Sequence, residues 1–176
     1  MTWQSGDEPG LAALGSAAAA LEAANLEHWL FGGWAVDVWV GRLTRPHDDI
    51  DLLVWRHDEA GVHESLTAAG WVHAPGPDDM LGTSYVRDSI ELQLTFVEPG
   101  AVAGVVIPVP EQPIVLSTGP LEFARRDLGH VSVRVLTLEL MLATKSTPRA
   151  DEVGGGKDRA DLEALRSIAG TGTKEP

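Results

Sequence analysis

The stretch Phe31–Trp55, FGGWAVDVWVGRLTRPHDDIDLLVW, constrains this chain more than any other part of it. A glycine pair, Gly32-Gly33, precedes a short apolar run that reads as a helix over Trp34–Val40, with Gly41 at its end. Two arginines and a histidine follow, and then Asp49-Ile50-Asp51 opens the apolar run to Trp55. In a strand, alternate side chains share a face, so Asp49, Asp51 and Leu53 lie on one side and Ile50, Leu52 and Val54 on the other. The two carboxylates then stand about 6.6 Å apart along the strand. At an effective dielectric of about 20 they repel by roughly 2–3 kcal/mol. A divalent cation removes that cost, and magnesium suits a site of few carboxylates completed by water and substrate phosphates. Glycines ahead of a helix let a ligand approach the backbone and leave N–H groups free for an anion. Arg42, Arg45 and His47 are candidates to steady phosphates, with a salt bridge to Asp48 as the alternative for Arg45.

The chain has 176 residues, 44% hydrophobic and 22% charged, which fits one globular domain, or one with a small appendage, able to bury a core. The absence of cysteine excludes disulfides and cysteine zinc sites and fits the reducing cytoplasm. The apolar run Leu11–Leu26 follows Asp7 and Glu8 without a basic residue, so it does not read as a signal peptide, and no stretch reads as a membrane span. A formal net charge of -13 repels nucleic-acid phosphates and attracts cations, which argues for a polycationic small-molecule partner.

In chain order, Pro9 to Asn25 reads as a helix, Glu27–Phe31 as a strand and Asp49–Trp55 as another. A helix over Asp58–Ala69 closed by Gly70, a short strand over Trp71–His73 and a loop over Pro75–Asp79 come next. Thr83–Arg87 and Ile90–Val97 form a hairpin turning at Asp88-Ser89. Little is placed between Glu98 and Pro120, where prolines and glycines are dense. His130–Val135 alternates as a strand, and Thr137 caps a helix to about Lys145. Arg149–Gly156 reads as a flexible loop, Lys157–Ile168 as a last helix, and the tail after Gly170 as frayed.

GGW followed by G-x-x-TR-x-H-x-DID resembles the nucleotidyltransferase superfamily that includes DNA polymerase beta, and within it the small aminoglycoside and lincosamide nucleotidyltransferases. Trp34 stands where many superfamily members carry serine, as in the antibiotic-modifying branch. The resemblance implies an α/β (α+β) nucleotidyltransferase fold: a small mixed twisted sheet flanked by helices. It implies a core over residues 1–135 and a C-terminal helical segment over 136–176 packed on the same domain. It further implies magnesium-dependent transfer of a nucleoside monophosphate, AMP from ATP, to a hydroxyl of an aminoglycoside-type antibiotic. Asp49 and Asp51 would hold the metal, and the third carboxylate the pattern expects falls to Glu91, as base, metal ligand or both, with Asp88 and Glu98 as fallbacks. Gly32, Gly33, Arg42, Arg45, His47, Lys145 and Lys157 would bind the nucleotide. Lys145 continues the stripe of Leu138, Met141 and Leu142, and either reaches inward or snorkels at the helix end. Asp158 and Asp161 are read as favourable first-turn charges, with a structural role as the alternative. The rival functions are a toxin-like enzyme acting on tRNA or protein and an inactive nucleotide-binding module. The expected assembly is a monomer or homodimer.

Overall fold

The computed structural model describes residues 8–76, 79–101, 103–146 and 152–170. Helix α1 (Glu8–Ala23) leads into strand β1 (His28–Phe31), helix α2 (Gly32–Val40) and strand β2 (Asp49–Trp55). A 3-10 turn (Arg56–Asp58) precedes α3 (Glu59–Ala68), followed by β3 (Val72–His73), β4 (Gly82–Arg87) and β5 (Ile90–Pro99). The chain continues through β6 (Val105–Ile107), β7 (Ile114–Ser117), β8 (Phe123–Leu128) and β9 (Val131–Leu136). It ends in α4 (Leu138–Lys145) and α5 (Glu152–Ala169). Among the described residues no helix is long and apolar enough to cross a membrane.

The sheet is mixed, in the order β3-β4-β5-β2-β1-β9-β8, with β6 and β7 extending from the far end of β5. β2 runs antiparallel to β1 and parallel to β5, and β1 runs parallel to β9. Alternation along these strands sorts the side chains into two unlike faces. Leu30, Ile50, Leu52, Val54, Leu92, Leu94 and Phe96 share one face and are all buried. α1 covers that face, and its Gly15 lies against Val131 of β9. The other face is closed by Trp29, Leu53 and Val97 but open at the beginning of β2, where Asp49 and Asp51 are half-buried.

The register of β5 on β4 is set by the turn between them. Arg87 pairs with Ile90 across Asp88 and Ser89, which have φ of 50° and 66°. Two successive positive-φ residues are the signature of a tight type I′ hairpin, whose twist matches the flanking strands. On its other edge β5 lies against β2, where Asp49 pairs with Glu91 and Asp51 with Gln93.

Three parts differ from the sequence expectation. The stretch after Glu98 is not shapeless: β5 outruns the main sheet, pairs Glu98 with Val106, and carries a small hairpin onto which Val105 is buried. β8, FARRDL, is an edge strand paired to β9 across Gly129 at φ 60°, and its charge-rich sequence hides strand periodicity. The expected loop over Arg149–Gly156 is helical from Glu152, and its first residues, 149–151, lie outside the described set, as does the tail from residue 171. Glycine costs a helix about 1 kcal/mol each, which favoured a loop. Yet Gly154 and Gly155 are buried, where α5 packs on α2 and α4. A residue without a side chain permits that close approach.

Candidate active site

Asp49 and Asp51 face a cavity of about 510 Å³ bounded by the glycine pair, Gln93, the end of α4 and the start of α5. Its cationic lining is Arg45, Lys145 and Lys157, and its acidic lining is Asp48, Asp49, Asp51 and Asp158. The sequence elements singled out by motif therefore meet one another, with the C-terminal helices supplying the opposite wall.

Gly32 is required twice over. It has φ of +70°, and a Cβ there would collide with the Asp51 carboxylate. Gly33 is also confined by its neighbours. A Cβ on it would come within 2.7 Å of Arg45 Nη2 and closer still to His47 Nδ1.

His47 is not at the cavity surface. Its side chain is 2% exposed, and its ring lies 5.0 Å from that of Trp34. Nε2 meets Asp37 Oδ2 at 2.5 Å, and Nδ1 meets Arg45 Nη1 at 3.0 Å. Asp37 is itself fully buried in α2, a carboxylate that apolar patterning does not reveal. Its other oxygen accepts from the backbone N–H and the hydroxyl of Thr44, at 3.0 and 2.5 Å. A buried acid needs such partners, since an unpaired charge in the interior is severely penalised. Arg42 is exposed and does not line the cavity.

Arg45 does not bridge to Asp48. Its Nε and Nη2 donate to the two oxygens of Asp161, each at 3.3 Å. Lys145 reaches inward, with Nζ 2.9 Å from both Asp158 and Asp161. Asp158 and Asp161 are therefore not solvated first-turn charges but buried acids, 6% and 2% exposed, that fasten α5 to the active-site wall. Their sharing of one helix face was the available signal. Lys157 pairs instead with exposed Asp48 at 3.0 Å, and its hydrogen bond holds the Asp48 carboxyl below the usual carboxylate range.

Glu91 stands in register with Asp49 and accepts from Gln93 Nε2 at 3.2 Å, but Gln93, not Glu91, lines the cavity. Sequence reasoning missed Gln93, although its parity on β5 is that of Glu91. Neither fallback acid lines the cavity: Asp88 lies at the hairpin tip, and Glu98 bridges to Arg56 at 2.8 Å. Among the described residues no three His, Cys, Asp or Glu side chains are already gathered as a metal cage.

Similar proteins carry the same arrangement of elements. The lincosamide antibiotic adenylyltransferase LnuA, solved with lincomycin bound, superposes with a TM-score of 0.66 at 19% identity, covering 96% of this chain and 99% of that one. ANT(2'')-Ia in complex with adenylyl-2''-tobramycin gives 0.62 at 17% identity, covering 93% and 96%. At such identities the likeness establishes the nucleotidyltransferase fold. A local sequence match is much closer: 34 residues are 59% identical to a 2''-aminoglycoside nucleotidyltransferase of Escherichia coli. A Klebsiella pneumoniae protein of the same description matches equally. Those matches span 19% of this chain and 19% of the length of the curated relatives. Residues 13–103, just over half of the chain, match the aminoglycoside-2''-adenylyltransferase family as a unit, from α1 through the paired acids of β2 to the end of β5. With that span, and the acids and glycine pair assembled at one cavity, the chain belongs to the aminoglycoside-2''-adenylyltransferase family.

Proposed function

We propose that the protein transfers AMP from ATP to a hydroxyl of a small cationic acceptor of the aminoglycoside type, releasing pyrophosphate. The observation that carries this reading is the pair Asp49 and Asp51 facing a cavity whose other wall presents Arg45, Lys145 and Lys157. One side suits a cation and the other a polyphosphate.

The donor set fits magnesium. It consists of hard carboxylate oxygens, and magnesium takes few carboxylates and completes its shell with water and substrate phosphates. Asp49 and Asp51 would hold it. Bound there, magnesium supplies neutralisation of the charge that develops on the phosphates.

In the transfer, the acceptor oxygen forms a bond to the α-phosphorus while the bond to the pyrophosphate oxygen breaks. Glu91, on the strand face shared with Asp49 though not among the residues lining the cavity, is the acid assigned to take the hydroxyl proton, to hold the metal, or both. Arg45, Lys145 and Lys157 orient the phosphates, and the bare backbone at Gly32 leaves room beside Asp51. The lining carries one more carboxylate than cations, and the chain as a whole has a formal charge of -13, so amines on the acceptor are favoured. The antibiotics in the solved structures of LnuA and ANT(2'')-Ia support an acceptor of that class.

The test is incubation of the purified protein with magnesium and ATP labelled at the α-phosphate, alongside aminoglycosides, lincosamides and tRNA. Label should move to an aminoglycoside. Label appearing only in RNA or in protein would replace this reading with the toxin-like one.

A further inference from the structure

His47 belongs to the motif but is walled off from the cavity, and its partners say what it does there. Arg45 has five N–H donors and no acceptor. Its 3.0 Å contact with His47 Nδ1 therefore requires a lone pair on Nδ1. The ring proton is then on Nε2, where it is donated to Asp37 Oδ2. Asp37 cannot turn away, because its other oxygen is held by Thr44.

The donors of Arg45 can be followed one by one. Nε and one hydrogen of Nη2 go to Asp161, and Nη1 donates to Pro46 O at 3.1 Å and to His47. Among the described residues that leaves a single N–H, on Nη2. Nη2 is also the Arg45 atom nearest to Gly33, at the cavity wall. Asp161 grips one edge of the guanidinium and His47 the other, so the plane cannot swing.

We propose that His47 is a positioning residue for nucleotide binding. Anchored on Asp37 as the neutral Nε2–H tautomer, it accepts from Arg45 and aims the last free N–H of that guanidinium into the cavity, without touching the nucleotide. This rests on the nucleotide-binding reading above, and it gives His47 a different part from direct phosphate contact.

The test is calorimetric binding of magnesium-ATP to the full chain and four variants. His47→Gln places an amide where Nε2 stands, keeping the bond to Asp37 but offering nothing to Arg45. His47→Asn places an oxygen where Nδ1 stands, keeping the acceptor for Arg45. We expect His47→Gln to weaken binding about 5–10-fold, Arg45→Ala at least about 10-fold, and His47→Asn no more than about 3-fold. The double variant His47→Gln/Arg45→Ala should match Arg45→Ala within about twofold, since residues acting through one another are not additive. Melting temperatures taken in parallel identify any loss that is mere unfolding. A double variant that loses both factors in full would overturn the proposal, as would wild-type affinity in His47→Gln or equal losses in Gln and Asn. Wild-type protein that binds no magnesium-ATP would instead overturn the functional reading itself, and this inference with it.

Discussion

Arg45 and Asp161, 116 positions apart, are joined by two parallel contacts of 3.3 Å between a guanidinium edge and a carboxylate. Through them the last helix holds the loop that delivers the acids of β2. The site is thus closed from the C-terminal end of the chain, and stability and activity are coupled there.

Lys145 makes that coupling measurable. Its ammonium, 13% exposed, lies between the buried carboxylates of Asp158 and Asp161, 2.9 Å from each. Removing one partner of a buried pair costs about 3–5 kcal/mol. Lys145→Ala should therefore lower the melting temperature by roughly 6–20 °C for a domain of this size, besides weakening nucleotide binding. An unchanged melting curve would show that Lys145 is not needed to balance Asp158 and Asp161.

Asp49→Asn and Asp51→Asn should behave in the opposite sense. Each removes half of a like-charge pair worth roughly 2–3 kcal/mol of repulsion, so thermal stability in metal-free buffer should rise. Transfer should fall at least about 100-fold. Full activity in either variant would remove that residue from the metal site.

Glu91→Gln preserves shape and the neighbouring Gln93 but cannot accept a proton. Turnover should drop about 100- to 10,000-fold, with magnesium-ATP affinity within a few-fold of wild type. Complete loss of nucleotide binding would make Glu91 a metal ligand first, and a near-normal rate would leave the reaction without a base at this position.

Tyr85 is the sole tyrosine, so its ionisation is read without interference from others. Burial, and then the Glu59 carboxylate, push its phenol up from 10.0 to about 12. Below pH 10 the hydroxyl is protonated in both folded and unfolded chains. Between about 10 and 12 only the unfolded chain loses the proton, so stability falls as pH rises through that window, by about 3 kcal/mol in total. Tyrosinate absorbance in the native protein should have its midpoint near 12. A midpoint at the ordinary value would mean that the ring is reached by water.

The central motif was legible because its signals are local. Alternation fixed which residues of β2 share a face, and Gly41 ended α2 as expected, with φ of 77°. The hairpin at Asp88-Ser89 was equally clear. What escaped the sequence was pairing at long range. Arg45 has an acid beside it at Asp48, yet takes Asp161 from a helix at the other end of the chain. Asp37, set in the apolar run of a short helix, is a buried anchor for Thr44 and His47, which local patterning does not show. The glycines of α5 looked like a loop because propensity is local and packing is not. The strands after Glu98 were hidden by their brevity, three and four residues in β6 and β7.

The turn at Asp88 and Ser89 makes the third carboxylate hostage to two exposed backbone angles. Glu91 pairs with Asp49 on a strand that the hairpin returns after two left-handed residues. One residue added there and taken up by β5 as a single-step slide would rotate Glu91 toward the apolar interior and bring a leucine-face side chain to the cavity. A lineage could thus disarm this protein by an insertion far from any conserved-looking acid, with every named carboxylate still present in its sequence. Screens that score such chains by their intact motif would count them as active, and the length of the β4–β5 turn is the feature that would tell them apart.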